Sequence, residues 1–151
     1  MTRILYCEDD ADRRAKITSA LRESFPTHDL TSAETVRDGL QGITGIDLHP
    51  RYLSEISSET IEQRLRDSGA NLSDLGIVIT DGGLIDPFVG ARGQILDGWD
   101  LAQILRNLGY PGKIVYTGLK DIPTSKESLF DVMIPKFEVE QIIDYARACL
   151  E

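Results

Sequence analysis

The chain has few of the residues that stabilise or anchor several classes of protein. It contains two cysteines, Cys7 and Cys149, and two histidines, and these do not form a cluster with the spacing of a zinc site. Two thiols do not make a disulfide framework, so we expect both to be reduced. No hydrophobic run approaches the roughly 20 residues of a membrane span, and the N-terminus lacks the charged-then-apolar pattern of a signal peptide. These absences predict a cytoplasmic protein that does not bind the membrane.

Positive charge is also scarce. Lys and Arg number 16 against 25 Asp and Glu, which gives a net charge of -9. Direct binding to nucleic acid or to an anionic membrane requires a cationic surface, so the composition disfavours both. The remaining composition is that of a globular protein, with 41% hydrophobic and 27% charged residues over 151 residues. We see no linker and expect one domain over residues 1–151.

Short apolar runs alternate with amphipathic stretches along the chain. Five runs are predicted as strands: Ile4–Cys7, His28–Ser32, Gly76–Thr80, Lys113–Thr117 and the weaker "DVMIP". Apolar residues at helical spacing predict four helices: Ala11–Phe25, a helix capped by Ser32 or Thr35 that runs through Leu40, "GWDLAQILRNLG", and Val139–Leu150. Strands that alternate with helices predict an α/β protein with a parallel sheet.

Two segments do not fit this simple alternation of strands and helices. Residues 42–74 contain a further predicted helix, Ser57–Asp67, with Ser57 or Ser58 as its cap. Residues 82–97 form a glycine-bearing loop that is too long for a plain connection. We expect this loop to act as a lid or to bind a partner.

Polar side chains follow four of the predicted strands. Glu8, Asp9 and Asp10 follow the first strand, and Asp81 follows "GIVIT". Thr117 and Lys136 end the last two strands. In an open parallel sheet, ligands bind beyond the carboxyl ends of the strands, so these groups are predicted to share one edge. Adjacent carboxylates repel, so the acids need either open water or a cation.

In this order, the motifs "ILYCEDD", "IVITD", "DGWDLAQILR", "IVYTG" and "MIPK" resemble the receiver domains of bacterial two-component response regulators. The resemblance covers Arg3 to about Leu150, with residues 42–74 and 82–97 as insertions. It implies a flavodoxin-like, doubly wound sheet of five parallel strands with helices on both faces. It also implies a signalling module rather than an enzyme. The module would take a phosphoryl group from a histidine kinase or phosphotransfer protein and switch its binding to a downstream partner protein.

The resemblance assigns a phosphoacceptor and a metal site by position. Asp81 would accept the phosphoryl group, and Mg²⁺ would be bound by Asp9, Asp81 and the backbone carbonyl of Gly83. Glu8 would contact the ion through a water molecule. A register one residue later, with Asp9 and Asp10 as the acidic pair, is the alternative.

Two further residues would contact the phosphoryl group, and their surroundings depart from the family pattern. Lys136 would pair with the phosphoryl oxygens, and Thr117 would hydrogen-bond them. Family members usually have proline after the lysine, but here Phe137 follows it and Pro135 precedes it. The usual aromatic switch residue, three positions before the lysine, is Met133. These departures put the direction of Lys136 and the switching mechanism in question.

Two other functions compete with a phosphorylated switch. A degenerate receiver would bind a partner protein without phosphorylation. A magnesium-dependent phosphohydrolase would use the D-x-D spacing of Asp10 and Asp12 as nucleophile and acid. If the chain is a phosphorylated switch, no segment after the last helix would carry the response. We therefore expect the response to act through a partner protein. A homodimer is one such assembly.

Overall fold

The computed structural model describes residues 2–151 and contains one five-stranded, all-parallel sheet. The strands lie in the order β2-β1-β3-β4-β5. Their bounds are β1 Arg3–Cys7, β2 Asp29–Ala33, β3 Leu75–Thr80, β4 Lys113–Tyr116 and β5 Val132–Met133. The predicted α/β class and the doubly wound five-stranded sheet are confirmed.

Helices connect the strands and cover both faces of the sheet. They are α1 Ala11–Ser24, α2 Val36–Thr44, α3 Ser58–Asp67, α4 Val89–Arg92, α5 Gly98–Asn107 and α6 Val139–Leu150. Two 3-10 helices lie at Pro50–Tyr52 and Thr124–Leu129. Across residues 2–151, no helix has both the length and the apolar character that crossing a membrane requires.

Alternate residues of the strands enter two separate hydrophobic clusters, one on each face of the sheet. On one face, Ile4 and Tyr6 pack with side chains of α1 and α6. On the other, Leu5 and Cys7 pack with side chains of α2, α3 and α5. This alternation follows from the two-residue period of a strand. It explains why β1 and β3, which are buried on both faces, appear in the sequence as continuous apolar runs.

The observed helix α2 extends beyond the predicted end at Leu40. Thr35 caps it, and the helix continues to Thr44 before Gly45 ends it with a φ of 73°. Gly39 and Gly42 do not break the helix because both face the sheet at close range. A Cβ at Gly42 would lie 2.5 Å from a methyl carbon of Thr31, and one at Gly39 would lie 2.8 Å from the Cys7 sulfur. These glycines allow close packing and do not mark the helix end.

The segments 42–74 and 82–97 pack against each other. The Arg92 guanidinium donates hydrogen bonds to the carbonyl oxygens of Pro50 and Leu53. An isolated parallel bridge joins Ile56 to Gly93. The segment 82–97, predicted as a long glycine-bearing loop, therefore contains the short helix α4 and is held by the other additional segment.

A buried ion pair joins the same segment to α2. Arg37 donates to Asp86 through Nε at 2.7 Å and through Nη2 at 3.1 Å. The Phe88 amide donates to the Asp86 carboxylate at 3.0 Å, and the guanidinium lies 5.2 Å from the centre of the Phe88 ring. At its base, the segment closes through a hydrogen bond of 2.8 Å from the Gly98 amide to the Gly82 carbonyl.

Candidate functional site

Three carboxylates meet at the carboxyl edge of the sheet. Glu8, Asp9 and Asp81 each present a carboxylate oxygen, and these oxygens all lie within 4.8 Å of one another. Glu8 and Asp81 are buried and Asp9 is half-buried. Burying like charges together costs free energy unless a cation or a proton compensates them. The arrangement therefore has the character of a cation site.

The pairing of β1 with β3 brings the acids together. Cys7 lies opposite Thr80 in this parallel register, and the Asp81 amide donates to the Cys7 carbonyl at 2.9 Å. Glu8 and Asp81 are the next residues on each strand, so they emerge side by side where the ladder ends. The strand pairing, set by the apolar pattern, thus fixes the separation of the two carboxyl groups.

Lys136 supplies a positive charge to this cluster. Its Nζ lies 3.1 Å from Asp81 Oδ2 and 3.8 Å from Glu8 Oε1, and the side chain is 9% exposed. Pro135 and Phe137 flank the lysine, and no peptide bond within residues 2–151 is cis. The unusual sequence around Lys136 therefore still directs its ammonium group at Asp81.

The surroundings of Asp81 favour its ionised form. The Gly82 amide donates to Asp81 Oδ1 at 2.7 Å, while the Lys136 ammonium contacts the other oxygen. Burial alone raises the pKa of Asp81, but the Glu8 carboxyl, the Gly82 amide and the ammonium together hold it below its usual range. Asp81 is therefore a carboxylate at neutral pH.

Glu8 has the opposite balance. Burial, and next the nearby Asp81 carboxylate, raise the pKa of Glu8 to about 8, against the opposing effect of Lys136 and Arg13. Its Oε2 atom is buried and has no hydrogen-bond partner. A buried acceptor without a partner is uncommon in folded proteins and costs stability. Glu8 is therefore the least satisfied member of the cluster.

Thr117 lies at the end of β4, beside the cluster. Its amide and its hydroxyl both donate to the Thr80 carbonyl, at 2.9 Å and 3.4 Å. The longer of these contacts is a weak hydrogen bond, so the hydroxyl can exchange it for a better acceptor. Gly83, two residues after Asp81, is half-buried in the bend that leaves β3.

Asp10 does not join the cluster. Its carboxylate accepts a hydrogen bond of 2.9 Å from the Arg13 amide and caps α1. That hydrogen bond holds the pKa of the exposed Asp10 carboxyl below its usual range. Asp12 is also exposed, in the first turn of α1. The geometry therefore pairs Asp9 with Glu8 rather than with Asp10.

Sequence reasoning missed the contribution of Arg13. Its Nη1 atom lies 3.4 Å from Glu8 Oε1, and its guanidinium lies 5.0 Å from the centre of the Phe137 ring. The neighbouring Arg14 donates to the Glu8 backbone carbonyl at 2.8 Å. The only signal in the sequence is a pair of arginines one helical turn after the acids, which alone suggests a solvated helix face.

Sequence comparisons identify no relative of this chain, since no family model and no curated protein matches it. Structural comparison does find proteins with a similar fold. The receiver domain of the Francisella response regulator 1452 is 16% identical with a TM-score of 0.61, over 99% of this chain and 96% of that one. The BeF₃-activated DrrB receiver domain is also 16% identical, with a TM-score of 0.60 over 99% and 97% of the two chains.

A third structure is the response regulator TrrA from Thermotoga maritima, in complex with Mg²⁺ and a beryllium fluoride. It is 15% identical, with a TM-score of 0.56 over 99% of each chain. At these identities the similarity establishes a common fold. The resemblance to receiver domains noted in the sequence is thus confirmed in the fold.

Proposed function

We propose that this chain is a phosphoryl-accepting receiver of a two-component system or phosphorelay, with Asp81 as the phosphoacceptor. The observation that carries the proposal is the convergence of Glu8, Asp9 and Lys136 on Asp81. The cluster combines an ionised acceptor, a buried ammonium group and acidic residues for a cation. These are the groups that phosphoryl transfer to a carboxylate requires.

The cluster also fits Mg²⁺. All its donors are oxygens, which this hard cation prefers, and the Glu8 Oε2 atom has no partner of its own. Asp9, Asp81 and the Gly83 carbonyl would hold the ion, with Glu8 acting through a water molecule. When bound, the ion neutralises the charge that accumulates on the transferring phosphoryl group.

In the proposed reaction, a carboxylate oxygen of Asp81 forms a bond to the phosphorus of a phosphohistidine on the donor protein. The phosphorus–nitrogen bond breaks, and the imidazole keeps the electron pair and takes up a proton from water. Lys136, already 3.1 Å from Asp81, pairs with the phosphoryl oxygens. The chain's chemistry ends with acceptance and slow loss of the group, so we propose a signalling module rather than an enzyme with turnover.

The response would pass through Thr117. Its hydroxyl exchanges the weak 3.4 Å contact with Thr80 for a phosphoryl oxygen, which draws residues 117–122 inward. Around this segment Leu119, Met133 and Phe137 are exposed apolar side chains. We propose that their rearrangement changes the affinity for a partner protein in the cytoplasm, and that a homodimer is one such assembly.

The alternatives have less support. In the phosphohydrolase hypothesis, Asp10 is the nucleophile, yet its carboxylate is exposed and caps α1. The degenerate receiver is favoured by Met133 at the switch position, which is 63% exposed and has no aromatic ring to reorient. The buried contact of Lys136 with Asp81 argues for retained phosphorylation.

The test compares wild type with Asp81→Asn after incubation with acetyl phosphate and Mg²⁺. Intact mass spectrometry should show one added phosphoryl group on wild type and none on the variant, while Asp10→Asn should react like wild type. Beryllium fluoride should change the fluorescence of Trp99 in wild type, because Lys120 of the responding segment lies over that ring at 5.0 Å. Neither adduct nor fluorescence change in wild type would establish the degenerate receiver instead.

A further inference from the structure

Arg13 occupies an unusual position beside the acidic cluster. Its side chain is 21% exposed, and its Nη1 atom contacts Glu8 Oε1, the same oxygen that lies 3.8 Å from Lys136. One carboxylate oxygen therefore has two cationic neighbours, while the other oxygen has no partner. The Arg13 guanidinium thus partly compensates the charge of the Glu8 side chain, while Arg14 donates to the Glu8 backbone carbonyl.

Phe137 helps to keep Arg13 in this position. The guanidinium lies 5.0 Å from the ring centre, which is within the range of a cation–π contact. Phe137 itself is 70% exposed, so little else in the protein covers the ring. Arg13 and Phe137 line a cavity of about 270 Å³ at the mouth of the cluster, together with Lys16 and Lys136. This cavity gives the guanidinium space to move away from Glu8.

We infer that Arg13 is an internal counter-cation that competes with the divalent metal for Glu8. The inference rests on the proposed function, because it assumes that Mg²⁺ binds among Glu8, Asp9 and Asp81. An arginine at hydrogen-bonding range of Glu8 offsets its charge in the metal-free protein, and it repels an arriving dication. Repulsion by the dication therefore moves the guanidinium away from Glu8 and into the cavity. Arg13 thereby sets the metal concentration at which the site fills.

Two variants remove the contact by different routes. Arg13→Gln removes the charge, and Phe137→Ala keeps the charge but removes the aromatic surface that holds it. Both should tighten Mg²⁺ binding, Arg13→Gln by about five- to tenfold and Phe137→Ala by less, because contacts between charged groups of this kind are worth about that much. Lys16→Gln is the matched control, since it removes the same charge from the same cavity and should change the dissociation constant by less than about twofold.

The readout is an NMR titration with Mg²⁺ that follows two signals of the protein. The Gly82 amide reports occupancy of the site, because it donates to Asp81. The Arg13 Nε–H signal reports the guanidinium directly. In wild type, both signals should shift with the same midpoint, and that midpoint should fall in Arg13→Gln when it is followed through Gly82.

Each result separates this inference from the proposed function. If Gly82 responds to Mg²⁺ while the Arg13 signal stays fixed, or if Arg13→Gln changes the midpoint no more than Lys16→Gln does, the inference is overturned and the metal site stands. If no amide of wild type responds to Mg²⁺, the metal site of the proposed function fails, and the competition fails with it.

Discussion

Two groups of charged side chains, Arg37 with Asp86 and the acidic cluster around Asp81, differ in how the cost of burial is compensated. Arg37 and Asp86 form a matched pair, with side chains 7% and 1% exposed and two direct hydrogen bonds between them. Glu8, Asp9 and Asp81 form an incompletely matched group: Lys136 pairs with Asp81, but one Glu8 carboxyl oxygen has no partner and the pKa of Glu8 is raised to about 8. Satisfied buried charges serve structure, whereas the unsatisfied group retains the capacity to bind a cation.

The comparison also separates the two connections that leave the edge of the sheet near Asp81. The segment 82–97 is fixed by the Arg37–Asp86 pair and by the contacts of Arg92. In the segment after β4, the 3-10 helix has no buried residue and the ion pair between Lys120 and Asp97 is partly exposed, although the Lys120 and Leu129 carbonyls accept hydrogen bonds from Tyr116 and Arg106. We therefore expect the response to phosphorylation in the second segment and little change in the first.

The largest expected effect comes from breaking the matched pair. Arg37→Met leaves Asp86 buried without its counter-ion and should lower the free energy of unfolding by about 3–5 kcal/mol in urea denaturation. Arg51→Met, which breaks an exposed ion pair with Asp47, should cost less than about 1 kcal/mol. Similar losses in the two variants would show that the Arg37–Asp86 pair is not a structural anchor.

The second prediction concerns the buried charge of Glu8. Without metal, Glu8→Gln should raise the free energy of unfolding at pH 8–9 by about 1–3 kcal/mol, because it removes a buried charge that Arg13 and Lys136 compensate only in part. The pKa of Glu8 rises from 4.5 in the unfolded chain to about 8 in the folded one. The folded state therefore binds this proton more tightly, and wild-type stability should fall as the pH increases through that interval.

The measurement for Glu8 is a series of urea denaturation curves between pH 5 and pH 9. The variant should show a flatter profile than wild type over this range. Glu23→Gln, which neutralises an exposed glutamate of α1, should follow the wild-type profile. If the free energy of unfolding has the same pH dependence in Glu8→Gln and in wild type, the raised pKa of Glu8 is contradicted.

The smallest effect is expected at Asp10, the third acid of the run. Asp10→Ala should lower the thermal midpoint slightly, because α1 loses its N-cap, and should leave Mg²⁺ affinity within about twofold of wild type. Asp9→Ala should weaken Mg²⁺ by more than about tenfold, since it removes a proposed ligand. Calorimetric titration of both variants with Mg²⁺ checks this prediction. An equal loss of Mg²⁺ affinity in Asp10→Ala would favour Asp9 and Asp10 as the acidic pair.

Much of the architecture could be derived from the sequence, because it depends on local pattern. Ile4–Cys7 and Gly76–Thr80 are apolar runs without helical period, and parallel strands deliver the residues that follow them to one edge. This pattern predicts that Glu8 lies near Asp81, as it does in the structure. The sequence pattern ends α2 too early, because Gly42 serves close packing against Thr31, which the sequence does not reveal.

The long-range contacts could not be derived in this way. Arg37 and Asp86 are 49 residues apart, and each alone is an ordinary charged residue. The contact between Arg13 and Phe137 likewise joins α1 to the loop before α6. Such pairs produce no periodicity or spacing in the sequence, so only the folded structure shows them.

The hydrogen bond from Gly98 to Gly82 has a consequence for how this protein can change during evolution. This hydrogen bond holds the two ends of the segment 82–97 together beside the sheet edge. Because the entropy cost of a longer loop grows slowly with its length, residues can be inserted into this segment outside its buried contacts while Asp81 keeps its position. The surface beside Asp81 can thus diversify while the acidic cluster is preserved.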